Sequence, residues 1–428
     1  MNIYISGISG TGMGPLALMA KAAGFNVCGS DLNEGAIYDE LKKAGIEVEI
    51  GEQNGEFLKK HLDGLDWFVY TSALPSDHPE LVAARDAGIK CTKRDDFTAF
   101  LVEKLGLKMV AVAGTHGKTT TTAMIVWAAL KMNLPVSYIV GTTLGFAPSG
   151  SYKKGDRYFI YEADEYDRNF LKYYPWLAVE PFVSYDHPDI YPTKEDYLKA
   201  FEQFENQSEM LIKKTEDGVK WRNTGNAMFK ADDFKIAGAA RREDASLAAM
   251  AVLEMVFDDA KEKGMIIDVN TGSIIEALNE FPGVGRRFEK LEDGIYTDYA
   301  HHPEEIAATM DVARDEAELK GKKGVVVVYQ PHQNTRQHEV IGGYYDAFVG
   351  AEKIFWLPTY LTRENPDLPV LTPYDFIEEL TNGDVAEPAE MNDELFNAIC
   401  KYRDDEYLVV LMTAGPADPW LREKLGEK

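Results

Sequence analysis

A glycine-bearing loop between a buried strand and a helix constrains this chain more than any other feature of its sequence. The strand is the apolar run that ends at Ala113, and a helix pattern begins near Lys118. Backbone N–H groups of such a turn and helix N-terminus point at one spot and favour an anion there. Lys118 would place a positive charge on the β- and γ-phosphates of a nucleotide, and Thr119 would offer its hydroxyl to Mg²⁺. The residues predicted to bind ATP here are Gly114, Thr115, His116, Gly117, Lys118, Thr119 and Thr120.

This loop is shorter than the full phosphate-loop pattern, because the position five residues before Gly117 is Val112 rather than glycine. The strand, the two-glycine turn, the Gly-Lys-Thr and the helix together still predict phosphate binding. The alternative is an ordinary glycine turn that caps a helix. If the site binds phosphate, we expect Lys118→Ala to abolish turnover and leave the fold intact, since a loop lysine contributes little to packing.

Short apolar runs alternate with longer helix-patterned segments along the whole chain. Many runs are continuous rather than alternating, as in strands that are buried on both faces, and this predicts α/β layers with parallel sheets. The predicted strands are 3–8, 26–29, 67–71, 109–113, 159–162, 178–184, 295–299, 325–329, 354–357 and 408–412. Breaks in the pattern divide the chain into three predicted domains, 1–107, 108–282 and 283–428.

Charge and cysteine content exclude several classes of protein. The formal net charge of −26 would repel a polyanion, so we expect no nucleic-acid partner. The three cysteines, Cys28, Cys91 and Cys400, form no close pair and indicate a reducing compartment. No signal-peptide pattern and no run of about 20 apolar residues is present, so we expect a cytoplasmic protein without a membrane partner.

A second glycine-rich turn follows the first predicted strand. It contains Gly10, Thr11 and Gly12, and Asp31 ends the next strand, roughly where a ribose-binding acid lies in a dinucleotide fold. The glycine spacing does not give a clean dinucleotide fingerprint. We therefore favour the diphosphate of another nucleotide over a nicotinamide cofactor, with a tight packing turn as the alternative that involves no ligand.

Acidic and histidine side chains follow two further strands. The run EADEYD begins at Glu162, and YDHPD contains His187. Carboxylates are the preferred protein ligands of Mg²⁺, and a neutral imidazole can also bind a metal. Near a phosphate loop these residues predict a metal site of Thr119, Glu162 and His187, although an isolated acidic loop is usually only solvated.

Polar clusters also end strands in the last third of the chain. GVGRRFE contains Arg287, which could reach a γ-phosphate, and Asp298 could hold a ribose or orient a cation. DYAHHP contains His302, and QPHQNTR contains His332 and Arg336. In open α/β sheets ligands bind beyond the carboxyl ends of the strands, so we expect these clusters to line a site.

The ordered set GTHGKTTTTA, EADEYD, YDHPD, GVGRRFE, DYAHHP and QPHQNTR resembles the Mur ligases of bacterial cell-wall synthesis, and in particular their UDP-N-acetylmuramate–L-alanine ligase branch. The resemblance runs from Ile3 to about Pro416. It implies an α/β chain of three domains: a Rossmann-like N-terminal domain for the UDP-sugar, a central P-loop ATPase-like domain, and a Rossmann-like C-terminal domain for the amino acid.

The resemblance also implies roles for particular residues. Lys118 and Thr119 would bind the ATP phosphates and Mg²⁺, and Glu162 and His187 match metal-binding positions. In the last third of the chain, Arg287 and Asp298 match residues that contact ATP, and Arg336 matches a residue that contacts the substrate. Near the N-terminus, the stretches that hold the uridine nucleotide contain Gly10, Gly12 and Ser72. The implied substrates are ATP, UDP-N-acetylmuramate and L-alanine, for a monomer or homodimer.

The implied reaction transfers the γ-phosphoryl group of ATP to a carboxylate, and an amine then displaces phosphate from the acyl phosphate. This demands charge neutralisation, an in-line carboxylate and a deprotonated amine in a dry site. Lys118, Mg²⁺ and Arg287 answer the first demand. The base that deprotonates the amine is not assigned, and His302 and His332 are the candidates.

The chain departs from the family pattern in places. The usual His-Asn-x-x-Asn adenine stretch reads Ala240-Arg241-Arg242-Glu243-Asp244, and the arginine usually beside the substrate histidine is Gln333. Two alternatives therefore stay open beside the alanine ligase: a recycling ligase that adds a preformed tripeptide, and a nucleotide-binding homologue without ligase activity. A dehydrogenase is a more distant alternative.

Overall fold

The computed structural model describes residues 1–71, 74–187, 190–215, 218–222, 229–266, 270–362 and 364–426. The chain forms two compact units, one of Met1–Phe234 and Glu243–Pro282, the other of Lys235–Arg242 and Gly283–Lys428. In the ranges described, no helix combines the length and the apolar character that a membrane span requires. The predicted domain boundaries, 1–107, 108–282 and 283–428, stay predictions.

The first unit begins with a five-stranded parallel sheet in the order β3-β2-β1-β4-β5. Its strands are β1 (Asn2–Ser6), β2 (Asn26–Asp31), β3 (Glu47–Ile50), β4 (Trp67–Tyr70) and β5 (Lys90–Lys93). Its helices are α1 (Gly14–Ala22), α2 (Tyr38–Lys43), α3 (Glu56–His61), α4 (Pro79–Asp86) and α5 (Arg94–Leu105). The strand order reverses between β1 and β4, which places the predicted ligand crevice beyond the carboxyl ends of these strands.

A seven-stranded sheet follows in the same unit, in the order β12-β11-β10-β6-β9-β7-β8. Its strands are β6 (Lys108–Val112), β7 (Val136–Ile139), β8 (Gly150–Ser151), β9 (Tyr158–Glu162), β10 (Leu177–Glu180), β11 (Met210–Thr215) and β12 (Gly218–Arg222). Its α-helices are α6 (Lys118–Lys131), α7 (Lys194–Gln207), α8 (Ala239–Glu262) and α9 (Thr271–Asn279), with 3₁₀ turns at Tyr166–Lys172 and Ala231–Asp233. Because β6 lies between β9 and β10, the loop after β6 is flanked by the segments that follow those two strands.

The second unit is built on a six-stranded sheet in the order β13-β14-β18-β15-β16-β17. Its strands are β13 (Glu289–Glu292), β14 (Ile295–Asp298), β15 (Val325–Gln330), β16 (Ala351–Trp356), β17 (Ala386–Pro388) and β18 (Leu408–Thr413). Its helices are α10 (Pro303–Leu319), α11 (Asn334–Val340), α12 (Pro373–Ile377), α13 (Asp393–Asp404) and α14 (Ala417–Leu425), with 3₁₀ turns at Ile341–Tyr344 and Gly383–Val385. Of the strand pairs described in this unit, only β13–β14 is antiparallel, and the apolar run of β15 is buried throughout.

The predicted α/β class with mainly parallel sheets is confirmed, and each predicted strand is present with ends shifted by a few residues. The largest shift is at the strand predicted over 178–184, which ends at Glu180. Pro181 follows, and a proline has no N–H with which to continue the ladder. The apolar run was therefore a good guide to the strand but not to its end.

Gly29 lies in β2 against the backbone of β1, so its replacement tests how closely these two strands pack. A Cβ at Gly29 would lie 2.1 Å from the carbonyl oxygen of Ile5 in β1, a contact that only backbone movement could relieve. We expect Gly29→Ala to lower the free energy of unfolding by about 1–3 kcal/mol, as overpacking does. Thermal or urea unfolding measures this. Gly145→Ala is the control, since a Cβ there meets nothing within 4 Å, and an equal effect of both changes would contradict the packing explanation.

Candidate active site

The loop after β6 is a tight turn that is held by the segment following β10. The N–H of Thr115 donates to the carbonyl of Phe182 (2.7 Å), and the Thr115 hydroxyl donates to the carbonyl of Ser184 (2.6 Å). Gly117 has a φ of +81°, which glycine adopts without strain. A Cβ at Gly114 would lie 2.7 Å from the Phe182 oxygen, so this close approach also requires glycine. The turn leads directly into α6, whose first N–H groups are suited to an anion.

Lys118 folds back over this turn. Its Nζ donates to the carbonyls of Gly114 (2.5 Å) and Thr115 (3.1 Å) and lies 2.9 Å from Oε2 of Glu165. The two charged side chains are only 15% and 2% exposed. The structure thus holds an ammonium group at the phosphate loop through two carbonyls and one buried carboxylate.

Opposing effects set the charges of this pair. Burial lowers the pKa of Lys118, but the carboxylates of Glu165 and Glu162 outweigh it, and the pKa is raised. Burial raises the pKa of Glu165, but the Lys118 ammonium and His187 outweigh it, and the pKa is lowered. Both shifts favour the ionised forms, so the pair is a buried salt bridge.

Thr119 and Glu162 form the second contact at the loop. The Thr119 hydroxyl donates to Oε1 and Oε2 of Glu162, at 3.0 and 3.1 Å. Glu162 is the last residue of β9, directly beside β6, and a Cβ at Gly141 would lie 3.2 Å from its Oε2. Two of the three predicted metal-binding residues are therefore adjacent.

His187, the third predicted metal ligand, contacts a different carboxylate. Its Nε2 lies 3.3 Å from Oε1 of Glu165 and 3.6 Å from Oδ2 of Asp186. Burial lowers the pKa of His187, but its hydrogen bond to Glu165 and the charge of Asp186 outweigh it, and the pKa is raised. The geometry therefore pairs His187 with Glu165, and Thr119 with Glu162.

The donor set fits Mg²⁺ better than a metal that needs a full protein cage. Among the residues described, no three His, Cys, Asp or Glu side chains converge in a way that would hold a metal ion. Mg²⁺ is usually bound by one or two carboxylates together with substrate phosphates and water. The hydroxyl of Thr119 and the carboxylate of Glu162 are oxygen donors of this kind beside the phosphate loop.

The remaining loop residues are half-buried around this centre. The ring of His116 stacks on Phe182, with centroids 5.9 Å apart and planes 21° apart. Thr120 lies in the first turn of α6. The predicted phosphate-binding residues therefore lie on one continuous turn, and their roles stay predictions.

The glycine-rich turn after β1 is anchored on the end of β2. The N–H groups of Gly7 and Ile8 donate to the carbonyl of Ser30 at 2.8 and 3.1 Å. Each carboxylate oxygen of Asp31 accepts one backbone N–H, from Ser9 and from Leu32, both at 2.8 Å. Asp31 thus holds the turn in place, and its predicted role in substrate binding stays a prediction.

The exposed tip of this turn carries the other predicted contacts. Gly10 and Thr11 are exposed, and a Cβ at Gly12 would lie 2.6 Å from Nη1 of Arg94. Ser72, also predicted to bind the nucleotide sugar, lies outside the residues that the structure describes.

Sequence reasoning missed Arg94. Its guanidinium lies 3.3 Å from Asp95 and 3.7 Å from Asp164, so it connects the glycine-rich turn with the acidic segment after β9. The nearby Tyr161 hydroxyl and the Asp95 carboxylate raise the pKa of Arg94 despite burial, so the guanidinium stays protonated. No local pattern distinguishes this arginine in the sequence, because Gly12 and Asp164, which lie beside it in the structure, are distant from it in the chain.

A second group of predicted residues lies in the second unit. Asp298, at the end of β14, accepts the backbone N–H groups of Phe288 (2.7 Å) and Ala300 (2.8 Å). Burial raises its pKa, although the charge of Arg287 and these two hydrogen bonds oppose the shift. The Arg287 guanidinium lies 5.4 Å from the centre of the Tyr299 ring. Asp298 therefore shapes the turn that carries Arg287.

Histidines from two strand ends meet in this unit. The rings of His301 and His332 are 5.8 Å apart at an angle of 75°, and His332 also lies 5.7 Å from the Tyr360 ring. His302 directly precedes α10, and its buried Nδ1 has no hydrogen-bond partner among the described residues. Arg336 is half-buried on α11. His301 was not predicted, since the sequence does not show which of two adjacent histidines faces His332.

The altered adenine stretch forms the start of α8. Arg242 is bound in the second unit, where its guanidinium donates to Asp315 (3.0 Å) and to the carbonyl of Ile236 (3.0 Å). Asp244 belongs to the first unit, and a Cβ at Gly117 would lie 2.8 Å from its Oδ1. An acid from this stretch therefore contacts the phosphate loop itself.

Parallel α/β sheets and a glycine turn before a helix, beside a carboxylate and a hydroxyl, are features typical of nucleotide-dependent enzymes. Comparison with known proteins makes this more specific: residues 2–104 match the Mur ligase family, catalytic domain, and residues 112–273 match the Mur ligase middle domain. The chain belongs to the Mur ligase family and is an ATP-dependent ligase.

Relatives match along nearly the whole chain. The UDP-N-acetylmuramate–L-alanine ligase of Clostridium acetobutylicum is 30% identical, with 99% of this chain and 96% of the relative covered. That of Clostridium perfringens is 31% identical, with 85% and 84% covered. Among solved structures, UDP-N-acetylmuramate–alanine ligase from Thermotoga maritima has a TM-score of 0.75 at 23% identity, covering 100% of this chain and 98% of that one. A murein peptide ligase from Psychrobacter arcticus has a TM-score of 0.60 at 23% identity, covering 100% and 98%. The three-domain Mur ligase fold is thereby confirmed.

Replacing Lys118 with methionine tests the buried pair at the loop. We expect loss of ATP-dependent turnover and also a loss of stability of about 3–5 kcal/mol, because Glu165 is left as a buried charge without its cation. This differs from the expectation from sequence that the lysine could be removed without effect on the fold. Turnover and chemical unfolding measure the two effects.

Two further variants make this test specific. Lys131→Met removes a lysine of the same helix whose ion pair with Glu280 is 41% and 67% exposed, so stability should change by at most about 1 kcal/mol. The double change Lys118→Met with Glu165→Gln should recover part of the stability but none of the turnover. Unchanged stability in Lys118→Met would contradict the structural role of the pair.

Proposed function

We propose that this enzyme joins L-alanine to the carboxylate of UDP-N-acetylmuramate, with ATP and Mg²⁺, and releases ADP and phosphate. The observation that carries the proposal is the similarity to alanine ligases over nearly the full length of both proteins, 30% identical across 99% of this chain and 96% of the relative. The product would be a precursor of peptidoglycan. The proposed location is the cytoplasm, where these nucleotide substrates occur.

In the first step the substrate carboxylate attacks the γ-phosphorus of ATP and forms an acyl phosphate. The N–H groups at the start of α6 and the Lys118 ammonium would bind the phosphates. Donors that are already fixed in place stabilise the negative charge of the phosphates during the transfer. Thr119 and Glu162 would hold Mg²⁺, which when bound neutralises phosphate charge. His187 and Glu165 stand beside this group, 3.3 Å apart.

The buried pair of Lys118 and Glu165 prepares the site for this step. Lys118 is held over the loop by carbonyls at 2.5 and 3.1 Å and by the Glu165 carboxylate, so its position is largely set without phosphate. A fixed cation needs little reorganisation when charge moves toward the bridging oxygen, which is the basis of electrostatic preorganisation. His187 supplies Glu165 with a second partner.

In the second step the amine attacks the acyl phosphate and phosphate leaves. The proposed contributors from the second unit are Arg287, Arg336 and the histidines at the ends of β14 and β15. Arg287 and Arg336 carry positive charge suited to the phosphates and to substrate carboxylates. For the nucleotide sugar, the backbone N–H groups of Thr11 and Gly12 and the Arg94 guanidinium would provide hydrogen-bond donors and a cation suited to its diphosphate. The proposed oligomeric state is a monomer or homodimer.

The test is phosphate release from ATP and Mg²⁺ in the presence of UDP-N-acetylmuramate and one acceptor at a time. We expect release with L-alanine and little with glycine, L-serine or the cell-wall tripeptide, and the product should gain the mass of one alanine residue. The matched blank omits the nucleotide sugar.

Two outcomes would contradict the proposal. Release that depends on the tripeptide would assign the enzyme to peptide recycling. Absence of release with every acceptor, together with intact ATP binding, would mean that the substitutions in the adenine stretch accompany loss of ligase activity.

A further inference from the structure

His301 is held in one orientation by groups on both sides of its Nδ1. Nδ1 lies 3.0 Å from the carbonyl oxygen of Tyr299 and 3.2 Å from Oε2 of Glu305. The Glu305 carboxylate also accepts the backbone N–H of His301 at 3.1 Å, so it fixes both the ring and the backbone. A carbonyl oxygen can only accept, and therefore the hydrogen of a neutral imidazole resides on Nδ1. The lone pair is then on Nε2.

Nε2 is available to a ligand. Within the described ranges of the chain no hydrogen bond to His301 Nε2 is made, and the side chain is 16% exposed. The ring faces that of His332 at 5.8 Å, where the two histidine-bearing strand ends meet. The carbonyl of His301 accepts from Tyr329, whose hydroxyl is hydrogen-bonded to Tyr344. The imidazole is thus held rigidly on one side and accessible on the other.

We propose that His301 is the general base of the ligation, with Nε2 accepting a proton from the ammonium group of the incoming amino acid. This rests on the proposed function, because it presumes an amine acceptor. It differs from the assignment of His302 or His332 suggested by the sequence. His302 Nδ1 is buried without a hydrogen-bond partner among the described residues, so nothing there fixes its tautomer.

The charges around His301 suit this role. Burial lowers the pKa of His301 below its ordinary value of 6.5, and Arg336 and Arg287 lower it further, against the opposing effect of Glu305 and the Tyr299 carbonyl. The titratable rings that face it are Tyr299, with ring centres 5.4 Å apart, and His332, at 5.8 Å. At pH 7 the imidazole is therefore neutral and able to accept a proton.

The step balances as follows. One proton moves from the ammonium group to Nε2, which leaves a neutral amine and an imidazolium. The amine lone pair attacks the acyl carbon, the C–N bond forms, and the C–O bond to phosphate breaks with its electron pair on the departing phosphate. The second N–H proton passes to phosphate or water, and the imidazolium returns its proton to solvent. Glu305 stabilises the transient imidazolium, as a carboxylate partner does for a catalytic histidine.

The test compares two acceptors in His301→Asn. L-Alanine must lose a proton before it attacks, whereas hydroxylamine is uncharged near pH 7 and traps the acyl phosphate without a base. We expect the alanine rate to fall about 10²- to 10⁴-fold, the contribution typical of general base catalysis, with the hydroxylamine rate unchanged. His302→Asn and His332→Asn, assayed alongside, should not show this selective loss for alanine.

The pH profile supplies a second readout. Wild-type kcat/KM for alanine should have an acid limb below pH 6.5, because the base is lost as pH falls through its lowered pKa. This limb should disappear in His301→Asn. Glu305→Gln keeps the contact between His301 and the Tyr299 carbonyl but removes the carboxylate charge that raises the pKa of His301. The acid limb of kcat/KM for alanine should therefore move to lower pH in this variant.

Equal loss of both acceptors in a folded His301→Asn would overturn the proposal, and so would selective loss for alanine in His332→Asn with His301→Asn unaffected. The wild-type enzyme distinguishes failure of the proposed function: hydroxylamine trapping without any alanine-dependent release would remove the alanine assignment.

Discussion

The buried salt bridge between Lys118 and Glu165 is the interaction on which the candidate phosphate site depends. Its two residues are 47 positions apart, and their side chains are almost fully removed from water. A buried charge is tolerated only when it is paired and hydrogen-bonded, so each residue requires the other. The loop carbonyls, His187 and the two glycines complete the arrangement. A positive charge is thereby fixed beside the N-terminus of α6.

Parallel strands bring the other components to the same place. The loop after β6 lies between the acidic segment after β9 and the segment after β10, because those strands flank β6 in the sheet. The second unit repeats this principle, since His301 follows β14 and His332 follows β15. In both units the middle parts of the strands are apolar and contribute to the core. The polar side chains of the candidate site follow the last hydrogen-bonded residues of the strands. This is why short motifs at strand ends carried most of the functional information.

The sequence predicted a large part of this arrangement and missed particular contacts for physical reasons. The α/β class followed from continuous apolar runs, and the predicted metal site already grouped Thr119 with Glu162; the strands that lead to them, β6 and β9, proved to be neighbours. Glu165 lies in the same acidic run as Glu162, but nothing local shows which acid pairs with Lys118. Arg94 had no motif at all, and its contact with Asp164 depends on how α5 packs against the acidic segment after β9.

By itself, then, the sequence determined the α/β class, ten of the strands, the glycine-bearing turn before α6 and the family. These features depend on residues that are close together in the chain: hydrophobic runs, glycines at turns and a lysine at a helix start. Such local constraints can be recognised in the sequence alone. The tertiary structure decided which of several neighbouring acids or histidines serves each contact. That choice depends on the direction of each side chain and on partners that are far away in the chain, and only packing fixes both. His301 rather than His302 therefore faces His332. In the same way, Glu165 rather than Glu162 forms the salt bridge with Lys118.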